Sequence, residues 1–267
     1  MKKIYLYLFL ILESTKAWCN IPSYELTQDF WNSPSFVRSF MGDYGFRSEV
    51  EPRINKSEQF ILKEVIAKAE NQLDEAIEYL EKKIDQEVSA ALDFALAQMY
   101  YQRGRLSRSS ESYQVAIKKF PSFLRAHKNL GFVELSLGNF QEASRNLSRS
   151  ISLGEGDGVT FVALGYCYYM LQQFVSAENA YRMGILLFPE SKDARNGLVN
   201  CLIETNRYAE ALALLNELLV KEPENVFCHR ARASTLQGLG REKDATVALE
   251  TLRRMGKLDT GDLLRLG

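Results

Sequence analysis

An all-α fold, a solenoid of about six helical hairpins, is what this sequence predicts, and three observations predict it. Small residues recur at Ala76, Ser109, Ala143, Ala177, Ala211 and Ala245. A turn former stands five residues before each, at Asn71, Gly104, Gly138, Gln172, Asn206 and Gly240. Both ladders advance by about 34 residues per step, one helix-turn-helix unit. Prolines at Pro121, Pro189 and Pro223 fall where a second helix must stop before the next hairpin begins. A stack of this kind buries surface between neighbouring hairpins and needs no single large core.

Residues 1–19 stand apart from that fold. Lys2 and Lys3 precede an uninterrupted apolar run from Ile4 to Leu12, and polar Glu13 to Lys16 lead to Ala17, Trp18 and Cys19. The pattern is that of a secretory signal peptide. The run is about half the roughly 20 apolar residues that cross a bilayer, so the mature chain is expected to carry no stable membrane span. Export to the periplasm or cell surface of a bacterium is the expectation. Cleavage after Cys19 suits small residues at Ala17 and Cys19. A lipid on Cys19 is the less favoured alternative, because Lys16, Ala17 and Trp18 poorly resemble the Leu-small-small stretch before a bacterial lipoprotein cysteine.

Residues 20–56 form a segment of different character. It carries Tyr24, Phe30, Trp31, Phe36, Phe40, Tyr44 and Phe46, far too aromatic for a disordered linker. Ser33 followed by Pro34 predicts a helix start, with Phe36, Val37, Phe40 and Met41 on one apolar face before Gly42 ends it. Two roles are open: a cap over the exposed end of the array, or a stretch that docks in the protein's own groove or on a partner.

The array itself is expected over 57–255. Asn55 and Glu58, three apart ahead of an apolar run, predict a capping box. Later hairpins begin near Ala90, Leu124, Gly158, Lys192 and Val226. The third hairpin lacks a closing proline, and Gly154-Glu155-Gly156-Asp157-Gly158 makes its joint. No strand precedes these glycines, so they read as a connector rather than a phosphate loop, and two acids do not make a calcium loop. Residues 256–267 are expected to cap the C-terminal end.

Cys167 and Cys201 share one position in consecutive units, on neighbouring first helices roughly 8 to 10 Å apart. A disulfide needs Cα atoms within about 7 Å. With Cys228, they are expected to be buried thiols at small-residue packing positions.

With these residues in view, the chain resembles the tetratricopeptide repeat family. The likeness is strongest from Gly158 to Ser191, where Phe161, Leu164, Gly165, Tyr168, Phe174, Ala177, Tyr181 and Pro189 fall on the family's bulky, small, aromatic and terminal positions. The unit from Ala90 repeats the pattern with Leu96, Ala97, Tyr100, Gly104, Tyr113, Ala116 and Pro121. The last unit departs from it at Arg232 and Glu242. The resemblance implies a right-handed solenoid whose first helices line a concave groove. Steps of four and three residues hold one helix face, so the groove candidates are Phe94, Gln98, Tyr101, Lys128, Phe132, Val162, Tyr166, Tyr169, Asn196 and Asn200. Rings beside amides suit an extended peptide or a helix of a protein partner, with Tyr166 and Tyr169 as central anchors. Family members that grip a chaperone's C-terminal carboxylate use a set of lysine, asparagine and arginine side chains. Here Lys128 could begin that set, but Phe132, Ala163, Asp193 and Gly197 occupy the remaining places.

Other function classes find little support. Thirty-three basic against thirty-four acidic residues, net charge −1, give no basic excess for nucleic acid. His127 and His229 occupy the same place three units apart, too far to share a catalytic centre at about 10 Å or more per helix pair. No nucleophile motif, metal spacing or cofactor loop is present. The expectation is a non-enzymatic scaffold, without metal or cofactor, that binds a protein or peptide in its groove. The alternative is a passive structural or assembly subunit, or an accessory subunit of an envelope enzyme, using its convex edge or N-terminal segment.

Overall fold

The structure, a computed structural model, describes residues 25–41, 49–154 and 156–258. Among them are fourteen helices and no strand. The expected signal peptide, 1–19, and residues 259–267 of the expected C-terminal cap lie outside the described residues. The chain divides into two compact units, one of Gln28–Ala194 and one of Arg195–Gly267 with Met1–Thr27.

The Gln28–Ala194 unit begins with two short helices, α1 (Gln28–Asn32) and α2 (Pro34–Met41). Four hairpins follow: α3 (Lys56–Ala69) with α4 (Leu73–Glu81), α5 (Ala90–Gln102) with α6 (Leu106–Lys119), α7 (Leu124–Ser136) with α8 (Phe140–Ser152), and α9 (Gly158–Met170) with α10 (Phe174–Leu187). Helices α5, α7 and α9 start at the residues the period predicts. The capping box is present: the Asn55 side chain accepts from the Glu58 amide at 2.9 Å, and the Glu58 carboxylate accepts from the Asn55 amide at 2.7 Å. The second Glu58 oxygen accepts from the Ser89 amide at 2.8 Å, tying the start of α5 to the start of α3.

The turn-former ladder has a conformational cause. Gly104, Gly138 and Gln172 take φ of 70°, 78° and 58°, the left-handed region that ends a helix and reverses the chain. Each turn closes alike, the following amide reaching back to the first helix: Arg105 to Tyr100 O, Asn139 to Glu134 O and Gln173 to Tyr168 O, at 2.8 to 2.9 Å. Asn71 is the exception, and the first hairpin turns without a left-handed residue.

The small-residue ladder is the contact line inside each hairpin. Ala76, Ser109, Ala143 and Ala177 are fully buried. Ser109, the substitute, donates its hydroxyl to Ala97 O at 2.8 Å, which removes the cost of a buried polar group. On the facing helices Gly131 and Gly165 have no room for a methyl group. A Cβ at Gly131 would lie 2.6 Å from Leu147 Cγ, and one at Gly165 would lie 2.8 Å from the Tyr181 ring. In the glycine-rich joint, Gly154 ends α8 at φ 108° and Asp157 caps α9 through the Thr160 amide at 2.7 Å.

The second unit holds most of α11 (Lys192–Glu204), then α12 (Tyr208–Lys221), α13 (Val226–Gly238) and α14 (Glu242–Arg254). Asn206 and Gly240 repeat the left-handed turn at φ 56° and 69°. Its last hairpin packs through Ala233, Ala248, Leu249 and Leu252. The histidines serve the joints between hairpins. His127 Nε2 lies 3.0 Å from Pro121 O, and His229 Nε2 lies 2.7 Å from Pro223 O. Each ring meets the carbonyl that a helix-ending proline leaves without a helical partner. Cys167, Cys201 and Cys228 are fully buried at packing positions, and burial pushes the Cys167 thiol well above its ordinary range.

Candidate partner groove

Within the Gln28–Ala194 unit the first helices α5, α7 and α9 form a row, and residues 28–41 lie on it. Ser33 starts α2 by accepting from the Phe36 amide at 3.0 Å. The eight-residue helix turns Phe36 and Phe40 inward, 3% and 4% exposed, and leaves Val37 half exposed. The ring of Phe36 meets Phe132 of α7 edge-on at 5.1 Å. Phe40 lies against Tyr101 of α5 at 4.3 Å, and Phe30 and Trp31 extend the aromatic cluster through Phe36. Interlocked rings of this kind bury on the order of 150–250 Å² each.

Polar contacts fix the register of that segment. Asn129 of α7 donates through Nδ2 to Phe40 O at 2.9 Å and to the Tyr113 hydroxyl at 3.2 Å. The first bond satisfies a carbonyl of the last α2 turn, which has no helical partner. The Ser39 hydroxyl donates to Asp157, the N-cap of α9. Lys128 approaches the same Asp157 carboxylate at 3.6 Å. A strap of residues 49–54 is anchored independently. Arg125 holds Glu51 through two bonds at 2.8 and 2.6 Å, the Leu124 amide donates to Val50 O at 3.1 Å, and Ser89 Oγ donates to Arg53 O at 2.8 Å.

The ten groove candidates divide by environment. Tyr101 and Phe132 gather under α2, Lys128 lies buried beside Asp157, and burial pushes the Tyr101 hydroxyl above its ordinary range. Phe94 and Gln98 border a partly open cavity of about 120 Å³, lined also by Pro52, Ile54, Leu62 and Phe123. The Gln98 amide nitrogen is buried there with no hydrogen-bond partner. Phe94 itself packs on Phe123 and Tyr113 beneath the Arg125 guanidinium. Val162, fully buried, lies where α9 meets α10 at Gly184. Tyr166 and Tyr169 pack edge-on against Phe140 and Phe174, the first residues of α8 and α10. In the second unit Asn196 is half-buried and Asn200 fully buried.

The expectation of an open aromatic stripe is therefore corrected. Phe94, Lys128, Phe132, Val162, Tyr166 and Asn200 are each less than a tenth exposed. Packing between helices takes some of these side chains, and the protein's own α2 covers others. Of the N-terminal segment, whose role the sequence left open between an end cap and docking in a groove, the described helices lie on the first-helix row. Asn129, Ser39 and Asp157 escaped the sequence reading. Asn129 carried a signal, since it occupies a place held by Ala95, Ala163, Gly197 and Ala231 in the other units.

Among the described residues no group of His, Cys, Asp or Glu is placed to hold a metal, and no helix is long and apolar enough to cross a membrane. Buried acids serve packing: Asp93 pairs with Lys119 at 2.7 Å, while desolvation pushes its carboxyl above the usual range.

Comparison with known proteins agrees with this geometry. Models described as tetratricopeptide repeat match residues 171–239, and 66–122 with 94–145. The tetratricopeptide repeat-containing protein trd-1 of Caenorhabditis elegans is 26% identical over 191 residues. That alignment covers 71% of this chain and 24% of the relative, so the chain spans about a quarter of that protein. Among solved structures, YrrB, a repeat protein described as having an unusual peptide-binding site, superposes with a TM-score of 0.62 at 20% identity, over 72% of this chain and 96% of that one. A tetratricopeptide repeat protein of Parabacteroides merdae gives 0.58 at 18%, over 75% and 80%. MamA gives 0.57 at 17%, over 64% and 95%. Identities this low speak for the fold alone. Repeat models that reach across both units, and hairpins closed by left-handed turns over a buried small-residue ladder, establish that this chain belongs to the tetratricopeptide repeat family.

Proposed function

We propose that the chain is a non-catalytic scaffold that holds a short aromatic helix of a protein partner on the first-helix row of α5, α7 and α9. One observation carries the reading: an amphipathic helix already lies there, with Phe36 and Phe40 against Phe132 and Tyr101 and its last turn held by Asn129. The row therefore offers the apolar area and the fixed polar anchor that helix-in-groove recognition needs. The peptide-binding site ascribed to YrrB, on a similar fold, supports the same use. The signal-like residues 1–19 support work outside the cytoplasm, in the bacterial cell envelope.

A photo-crosslinking amino acid at Gln98, bordering the open cavity, tests the reading in cells. Partner adducts from that position, identified by mass spectrometry, are expected. Adducts formed solely from a probe at Val175 would overturn it and favour the assembly-subunit alternative. One observation favours that second reading: Val175, Met183 and Leu186 lie on one exposed face of α10, 70%, 40% and 69% exposed.

A further inference from the structure

We propose that residues 28–41 are a tethered mimic of the partner. Their seat is the binding site of a helix with two aromatic residues four apart and a small hydroxyl residue before the second, and such a partner gains entry by displacing them. This rests on the reading of the first-helix row as a partner site and adds its occupant and its regulation.

The two parts of the N-terminal segment are attached differently. The strap at 49–54 is bolted to the array by the paired Glu51–Arg125 bonds and by three backbone carbonyls, those of Glu49, Val50 and Arg53. Helix α2 is held by ring contacts, by the Ser39 hydroxyl on Asp157 and by one Asn129 bond. Arg38 and Val37 face solvent, so α2 lies on the array rather than inside it. Among the described residues its polar contacts to the array are to Asn129 and a helix N-cap, groups that a second helix of the same pattern can meet equally well. When α2 leaves, the Asp157 cap on α9 and the strap keep their own bonds, and the row is left as an open apolar patch with Lys128, Asn129 and Asp157 beside it.

Tethering makes α2 an effective competitor. Being part of the same chain as its seat, it competes at an effective concentration of about a millimolar. The apparent affinity of an outside helix falls by the fraction of molecules whose seat is free. Partner binding is then selective for helices that reproduce both rings, because one ring alone replaces too little of the displaced contact.

The test uses the full chain and a fluorescein-labelled synthetic peptide of residues 28–41. Anisotropy titrations compare the wild type with the Phe36→Ala, Phe40→Ala double variant, and hydrogen exchange reports on residues 28–41. The double variant is expected to lose protection in that segment and to bind the peptide at least about tenfold more tightly than the wild type. Adding Tyr101→Ala is expected to weaken that gain. Equally tight binding to both proteins would leave the partner site standing but overturn the competition. Full protection of the segment in the double variant would also overturn it. No binding to either protein, with the segment unprotected in the variant, would remove the partner site and the mimic together.

Discussion

Gly165 shows how much depends on single atoms at the hairpin seam. A methyl group there would meet the Tyr181 ring at 2.8 Å, and Tyr181 is itself fully buried with no route for retreat. Gly165→Ala is expected to destabilise by about 1–3 kcal/mol, the range for overpacked cores, despite alanine's better helix propensity. A thermal melt at or above the wild-type midpoint would contradict that packing. Cys167 gives a chemical readout of the same density. Burial raises its folded-state pKa. Its neutral form therefore contributes fully below the ordinary thiol pKa and loses that contribution as pH rises through the folded value. The nucleophile is the thiolate, so Cys167 is expected to resist iodoacetamide at pH 8 in native protein and to react in urea, as peptide mass mapping would show. Both residues were legible in the sequence, because they recur at fixed places in a 34-residue period. Asn129 was half legible: it broke a run of small residues, but nothing local said that it reaches a carbonyl 89 residues away.

At the scale of elements, the hairpin is the unit that the sequence specifies most completely. Turn formers, small residues and closing prolines act within one hairpin, so their spacing carries over directly into helix boundaries. Gln172 tests the turn. It holds φ 58° where Gly104, Gly138 and Gly240 stand in other units, and a left-handed non-glycine residue costs roughly 1–2 kcal/mol. Gln172→Gly is expected to raise stability by about 1 kcal/mol, once the larger entropy glycine loses on folding is offset. No rise in the urea midpoint would mean that the Gln172 side chain contributes something its backbone does not reveal. Helix α2 is the contrasting element. Ser33 and Pro34 announced its start, yet Val37, expected on its apolar face, is exposed. The surface that α2 meets takes Phe36, Ser39 and Phe40 and leaves Val37 outside.

At the scale of the whole molecule, deleting residues 1–41 tests how far the array depends on its N-terminal segment. Helical circular dichroism is expected to persist, because the hairpins close within themselves. Dye binding and concentration-dependent association are expected to appear, because Phe132 and Tyr101 lose their cover. A collapsed helical signal would show instead that α1 and α2 are part of the core. By itself the sequence determined the repeat, its helices, its turns and the contact lines inside each hairpin. These rest on short-range spacing that recurs six times and leaves one solution. Tertiary structure alone decided what covers the first-helix row. That contact joins Phe36 and Phe40 to Tyr101 and Phe132, and Ser39 to Asp157 across 118 residues. It occurs once rather than periodically, and exposed and covered rings have the same chemical character, so composition and period cannot tell one from the other.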